Sequence, residues 1–137
     1  STRAKLQDET TRLAGLLKDG NTMTLFPEGT TGNGDGIMPF HAAFITAAVN
    51  AGVDVLPVCI QYESLNGEPI TRKNRHNIFI YDKMPFLPHI NNLYKMLLSL
   101  EVNVIVGKRI PTEGRERKGI SEEARDWMIS VFRPVED

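Results

Sequence analysis

Cysteine is almost absent from this chain: Cys59 is the one thiol in 137 residues. No disulfide can therefore close within the chain, and nothing points to an oxidising compartment, so a reducing cytoplasm is the default expectation. A charge excess of either sign is also missing. Sixteen Lys and Arg against 17 Asp and Glu leave a net charge of −1. Nucleic-acid affinity draws on massed Lys and Arg, so no nucleic-acid partner is expected. Long apolar runs are lacking too: the stretch from Ala42 to Ile60 is broken by Asn50, Gly52 and Asp54, which excludes a membrane span there. The N-terminus, Ser1-Thr2-Arg3-Ala4-Lys5, runs on polar without the apolar core of a signal peptide. It does not start with methionine and opens inside what reads as a helix, so a cut or processed chain with a segment upstream is expected, and this piece should itself be soluble.

Several chemistries lack their residues. Ser64, Ser99, Ser121 and Ser130 have no Gly-x-Ser-x-Gly setting, and Cys59 sits in an apolar run without a basic neighbour. The glycines between Thr31 and Gly36 are not followed by the Gly-Lys-Ser/Thr of a P-loop, so no nucleotide is expected and the segment reads as a flexible loop tip. Zinc spacing is absent, and Asn33-x-Asp35 lacks the rest of a calcium loop, so the expectation is no metal and no cofactor.

What remains, 41% hydrophobic and 24% charged residues, suits one compact domain. Leu6, Leu13, Leu16 and Leu17 fall on one helical stripe that Lys18 and Gly20 bring to an end. Thr22 to Phe26 is β-branched and apolar and reads as a short strand stopped by Pro27. From Glu28 to Gly36 glycine is too frequent for regular structure, which makes a loop. Phe40, Phe44, Ala47, Ala48 and Ala51 then repeat at helical spacing up to Gly52. Val53 to Ile60 reads as a buried strand of the parallel kind, with a bulge or strand end at Pro57.

Glu63 to Asn77 is polar and reads as a surface excursion. A strand is expected from Asn77 to Tyr81, a helix from Ile90 to Leu98 and an alternating strand from Leu100 to Val106. A last helix is capped by Ser121, carries Ala124, Trp127, Met128 and Val131 on its stripe, and stops before Pro134. Helices alternating with strands predict an α/β fold with a mixed, largely parallel sheet flanked by helices. Cys59, Trp127 and Met128 read as core, and the basic residues around Arg72, Arg75, Lys108 and Arg115 as solvated surface.

The most informative segment is Phe26-Pro27-Glu28-Gly29-Thr30. A strand ending in Phe-Pro-Glu and feeding a Gly-Thr turn sets backbone N–H groups and a hydroxyl at a sheet edge, where α/β folds hold ligands and anions. Thr30 and Thr31 add hydroxyl donors, and Glu28 can orient a donor or accept from a substrate hydroxyl. These residues alone support an α/β domain with a phosphate-friendly loop, or a plain structural turn.

Taken with Pro39-Phe40 and Val55-Leu56-Pro57-Val58 in the same order, the segment resembles the lysophosphatidate acyltransferases of the glycerolipid acyltransferase family. The likeness is strong over residues 1–62 and loose beyond, as for the C-terminal part of a single acyltransferase domain occupying 1–137. It implies transfer of a fatty acyl group from acyl-CoA or acyl carrier protein to the hydroxyl of a lysolipid such as 1-acylglycerol-3-phosphate, at the cytoplasmic face of a membrane. It places Glu28, Gly29 and Thr30 on the acceptor's head group, with Thr31 and His41 beside them and Pro57 shaping the wall beneath. Thr31 and His41 stand where the family often has basic residues, which keeps a less phosphate-like acceptor, such as a lyso-ornithine lipid, open.

The family's general base is the histidine of a His-x4-Asp pair. The residues at that spacing from His41, His76 and His89 are Thr46, Tyr81 and Tyr94, and His76 with Asp82 is one position too far apart. The catalytic pair, and any membrane contact, are therefore expected upstream, and this piece is expected to be inactive. The rival expectation is a non-catalytic α/β module that keeps an anion-holding loop for a phosphate-bearing ligand or partner.

Overall fold

The structure is a computed structural model that describes residues 1–79, 81, 84–95 and 99–137. Helix α1 spans Thr2–Lys18, and the Ser1 hydroxyl accepts from the Ala4 N–H to cap it. It ends as the sequence predicts, where Gly20 at φ 91° turns the chain out. Its buried residues are Thr10 and Ala14, small enough to bring α1 close to the alanine-rich helix α2, Ile45–Ala51. A turn of 3-10 helix, Ala42–Phe44, leads into α2, and Gly52 at φ 66° closes it, letting the Val53 N–H bond back to the Ala48 carbonyl.

The sheet holds strands β1 (Val58–Leu65), β2 (Glu68–Pro69) and β3 (Leu100–Val106) in the order β2-β1-β3. The α/β class stands, but both pairings are antiparallel, against the expectation of a largely parallel sheet. Two features explain the difference. Asn66 and Gly67 both take positive φ, 51° and 81°, and make a tight hairpin that folds β2 back on β1. The apolar run is also buried on one side only: Cys59, Gln61 and Leu65 face inward, whereas Val58 and Ile60 lie on the outer face with their partners Val106 and Val104.

The expected strand over Val53–Ile60 is divided at Pro57. Val55 bridges Ile110, the Pro57 carbonyl accepts from Gly107, and the continuous ladder starts only at Val58 because proline offers no N–H. Thr22 to Phe26 forms no ladder; among the described residues no strand lies beside it, and Phe26 is 73% exposed. The expected strand at Asn77–Tyr81 is replaced by a 3-10 turn, Arg75–Asn77, with Ile80 outside the described residues. Helix α3, Phe86–Lys95, starts earlier than predicted since Pro88 falls in its first turn, where a missing N–H costs nothing; residues 96–98 of the expected helix lie outside the described set.

Helix α4, Arg117–Val131, also begins before its predicted Ser121 cap. Ile120 has no exposed surface and, one turn before Ala124, extends the apolar stripe backwards, which buries Ser121 inside the helix. Ile45, Ile110, Ile120 and Ala124 form the core cluster, with Phe40, Val49 and Val55 packed on it. Phe40 is the link to function, because the loop carrying the motif runs directly into it.

Candidate functional site

The motif forms a closed loop whose ends meet at Pro27 and His41. The His41 N–H donates to the Pro27 carbonyl at 2.7 Å, and the Gly29 N–H donates to the Phe26 carbonyl at 3.1 Å. Proline second and glycine fourth suit a tight turn of this kind, and Gly29 adopts φ 70°. A Cβ on Gly29 would stand 3.0 Å from Cδ2 of His41, so the imidazole lies against the bare glycine backbone. Structure thus brings Glu28, Gly29 and His41 together, with Thr30 and Thr31 exposed next in line.

Glu28 is half-buried, and its Oε2 accepts from the Met38 N–H at 2.8 Å. That bond crosses the loop and holds one carboxylate oxygen. Oε1 has no protein hydrogen bond among the described residues, which leaves an acceptor for a hydroxyl or an ammonium. The carboxylate is also felt on the inner face of β1: burial first, and the negative charge of Glu28 second, push the Cys59 thiol above its ordinary value.

The far side of the loop, which reads as a flexible tip in the sequence, is bonded to the C-terminal tail, to Arg75 and to α4. Gly34 is buried at φ 84°, and a Cβ there would collide with Val135 Cγ2 and crowd the Phe79 ring. Its carbonyl accepts from the Val135 N–H at 2.8 Å. The Asn33 side chain accepts from the Asp35 N–H, and Arg75 Nη1 donates to Asp35 Oδ1 at 2.6 Å and to the Asn33 carbonyl at 3.3 Å. From α4, Arg125 donates to the carbonyls of Met38 at 3.1 Å and Ile37 at 2.9 Å.

Sequence reasoning passed over Arg125 and read Arg75 as solvated surface, which the structure corrects. Arg75 sits in a polar run that reads as surface, yet its side chain is only 17% exposed and its guanidinium also lies 5.3 Å from the Tyr81 ring. The one available signal for Arg125 is its place on α4 between Ala124 and Trp127, two residues of the apolar stripe. Neither position alone tells which carbonyls it would reach.

Pro57 is buried, and the contacts that place it are with Gly107, where a Cβ would meet the Pro57 ring and the Trp127 indole at 2.9 Å. Of the other histidines, His89 is buried with Nε2 at 3.2 Å from the Ile78 carbonyl, a satisfied packing position, and His76 is exposed. Asp82 lies outside the described residues. Two shallow depressions, one lined by Val49, Gly52 and Thr112 and the other by Thr46, Arg115 and Arg117, do not include the loop, whose Gly29, Thr30 and Thr31 form an exposed ledge. Among the described residues no helix is long and apolar enough to cross a membrane.

Comparison with known proteins agrees with the motif. Residues 1–61 match the model of the family described as Acyltransferase. A lyso-ornithine lipid O-acyltransferase of Pseudomonas aeruginosa is 33% identical over 122 residues, covering 88% of this chain and 45% of that protein. One of Brucella abortus is 30% identical over 140 residues, covering 96% and 52%. The 1-acyl-sn-glycerol-3-phosphate acyltransferase of Escherichia coli is 37% identical over 62 residues, covering 44% and 24%. The chain spans about half the length of the first two relatives and a quarter of the third. No solved structure matches it.

Proposed function

The chain belongs to the glycerolipid acyltransferase family, and on that premise we propose that its full-length parent transfers a fatty acyl group from a thioester to the hydroxyl of a lysolipid, with the turn from Glu28 to Thr30 holding the acceptor's polar end. The observation that carries the assignment is the divided role of Glu28: Oε2 is fixed by the Met38 N–H while Oε1 is left for a ligand, on a ledge where Gly29 and Thr30 are exposed. An acceptor on this ledge is oriented before reaction, and such positioning supplies a large share of the rate in transfers between two bound substrates. The acyl donor is acyl-CoA or acyl carrier protein, and the base that takes the hydroxyl proton belongs to a His-x4-Asp pair outside these residues. The reaction takes place at the cytoplasmic face of a membrane, where a lysolipid resides.

The acceptor favoured here is a lyso-ornithine lipid. The lyso-ornithine lipid relatives of Pseudomonas aeruginosa and Brucella abortus match over 88% and 96% of the chain, whereas the 1-acyl-sn-glycerol-3-phosphate relative of Escherichia coli covers 44% of it. Chemistry points the same way. An amine-bearing head group supplies an ammonium for the open oxygen of Glu28, while a phosphate calls for free cations, and Arg75 and Arg125 are both engaged by the loop itself. Thr31 offers a hydroxyl in place of a charge.

The full-length protein should be given a labelled acyl thioester with lyso-ornithine lipid and lysophosphatidate in parallel. Faster acylation of the lyso-ornithine lipid is the expected result. A preference for lysophosphatidate would move the acceptor to the phosphate class, and transfer to neither would remove the acyltransferase reading.

A further inference from the structure

Met38 is held from both sides by opposite charges. Its N–H donates to the Glu28 carboxylate at 2.8 Å, and its carbonyl accepts from the Arg125 guanidinium at 3.1 Å, with the neighbouring Ile37 carbonyl accepting from the same guanidinium at 2.9 Å. The peptide group between Ile37 and Met38 has its N–H on the Glu28 carboxylate and its carbonyl, that of Ile37, on the Arg125 guanidinium, so it is polarised in one direction and each of these two bonds strengthens the other. Both bonds are charge-assisted and lie in partly buried surroundings, where they are stronger than at an open surface.

The geometry points to Arg125 as a positioning residue for acceptor binding: from α4 it fixes residues 37 and 38, and through the peptide group between them it fixes which way the Glu28 carboxylate faces. This rests on the acceptor-loop reading above. The hydrogen bonds of Arg125 go to the loop carbonyls of Ile37 and Met38, so it acts through the loop backbone. Its place on α4 makes the helix a rigid backing for the loop, anchored by Ile120 and Ala124 in the core cluster. Without the guanidinium, two carbonyls lose their donors and Glu28 can swing with Met38 instead of presenting Oε1 outward.

The test is steady-state kinetics on the full-length protein with Arg125→Ala, Arg125→Gln, Glu28→Ala and the Glu28→Ala/Arg125→Ala double variant, with thermal unfolding recorded for each. Arg125→Ala should lower kcat/KM for the acceptor roughly tenfold and leave the KM for the acyl donor in place. Arg125→Gln, which keeps one amide donor, should recover part of the loss. Because Arg125 acts through Glu28, the double variant should be no slower than Glu28→Ala alone.

Wild-type acceptor kinetics in a folded Arg125→Ala protein, alongside an impaired Glu28→Ala, would overturn the role of Arg125 and spare the acceptor loop. Fully additive losses in the double variant would do the same. Near-normal turnover by Glu28→Ala would instead remove the acceptor-loop reading, and this inference with it. Should Arg125→Ala fail to fold, Arg125→Gln decides alone: a raised acceptor KM with an unchanged donor KM supports the role, and wild-type values overturn it.

Discussion

Cys59 and Glu28 show how a single charge is felt through the fold. The thiol is 3% exposed on the inner face of β1, and burial, assisted by the Glu28 carboxylate, makes its ionisation harder than in the unfolded chain. Below its ordinary value of 9.0 both states carry the neutral thiol, so this group adds no pH dependence. As pH rises past that value the unfolded chain loses its proton first, and stability must fall. Thermal unfolding followed upward from neutral pH should therefore show a declining midpoint in the alkaline range that Cys59→Ala flattens. An identical slope in the variant would mean that the thiol does not sense the site. The motif itself was legible because Pro27, Gly29 and the threonines are local signals, each tied to a backbone requirement. The divided bonding of Glu28 was not, since its partner Met38 is chosen by loop closure.

At the scale of elements, the loop from Pro27 to His41 behaves as a built part rather than a connector. Gly34 lacks room for a side chain between Val135 and Phe79 and adopts φ 84°, a conformation that L-residues enter at a cost. Gly34→Ala should lower stability by about 1–3 kcal/mol, visible as a reduced urea midpoint with an unchanged m value; an unchanged midpoint would show that the tip is free to move after all. The ends of α1 and α2 were readable from their terminal glycines, but the leucine stripe is not the buried face of α1, where Leu6 and Leu16 stay 38% exposed, and α2 starts only at Ile45; the extent of β3 was readable residue for residue from its alternation. Thr22 to Phe26 misleads since β-propensity is realised only when a neighbour completes the hydrogen bonds. The parallel reading of the sheet failed at Asn66-Gly67, where a hairpin signal lay unused inside a polar stretch. Helix α4 starts earlier than its best capping residue because burying Ile120 outweighs a cap, which contributes only about 1 kcal/mol.

For the whole molecule, the α/β class was legible from helix patterns alternating with strand patterns and the family from three short blocks, while the clamp around the site depends on contacts between residues far apart in sequence. Arg125 reaches back 87 and 88 positions to the loop, and Gln61 pairs through its side chain with the backbone of Arg133, 72 positions on, to seat the C-terminal tail. The outer face of the sheet keeps Val104 and Val106 at 62% and 59% exposure, so the described residues leave apolar surface uncovered. All of this packing converges on one ledge, and the central claim is that the ledge holds the acceptor. The most direct measurement is the kinetic constants of full-length Glu28→Ala with acceptor and donor varied independently. The account predicts a large fall in kcat/KM for the lysolipid with the donor KM unmoved; turnover close to that of the unaltered protein would contradict it.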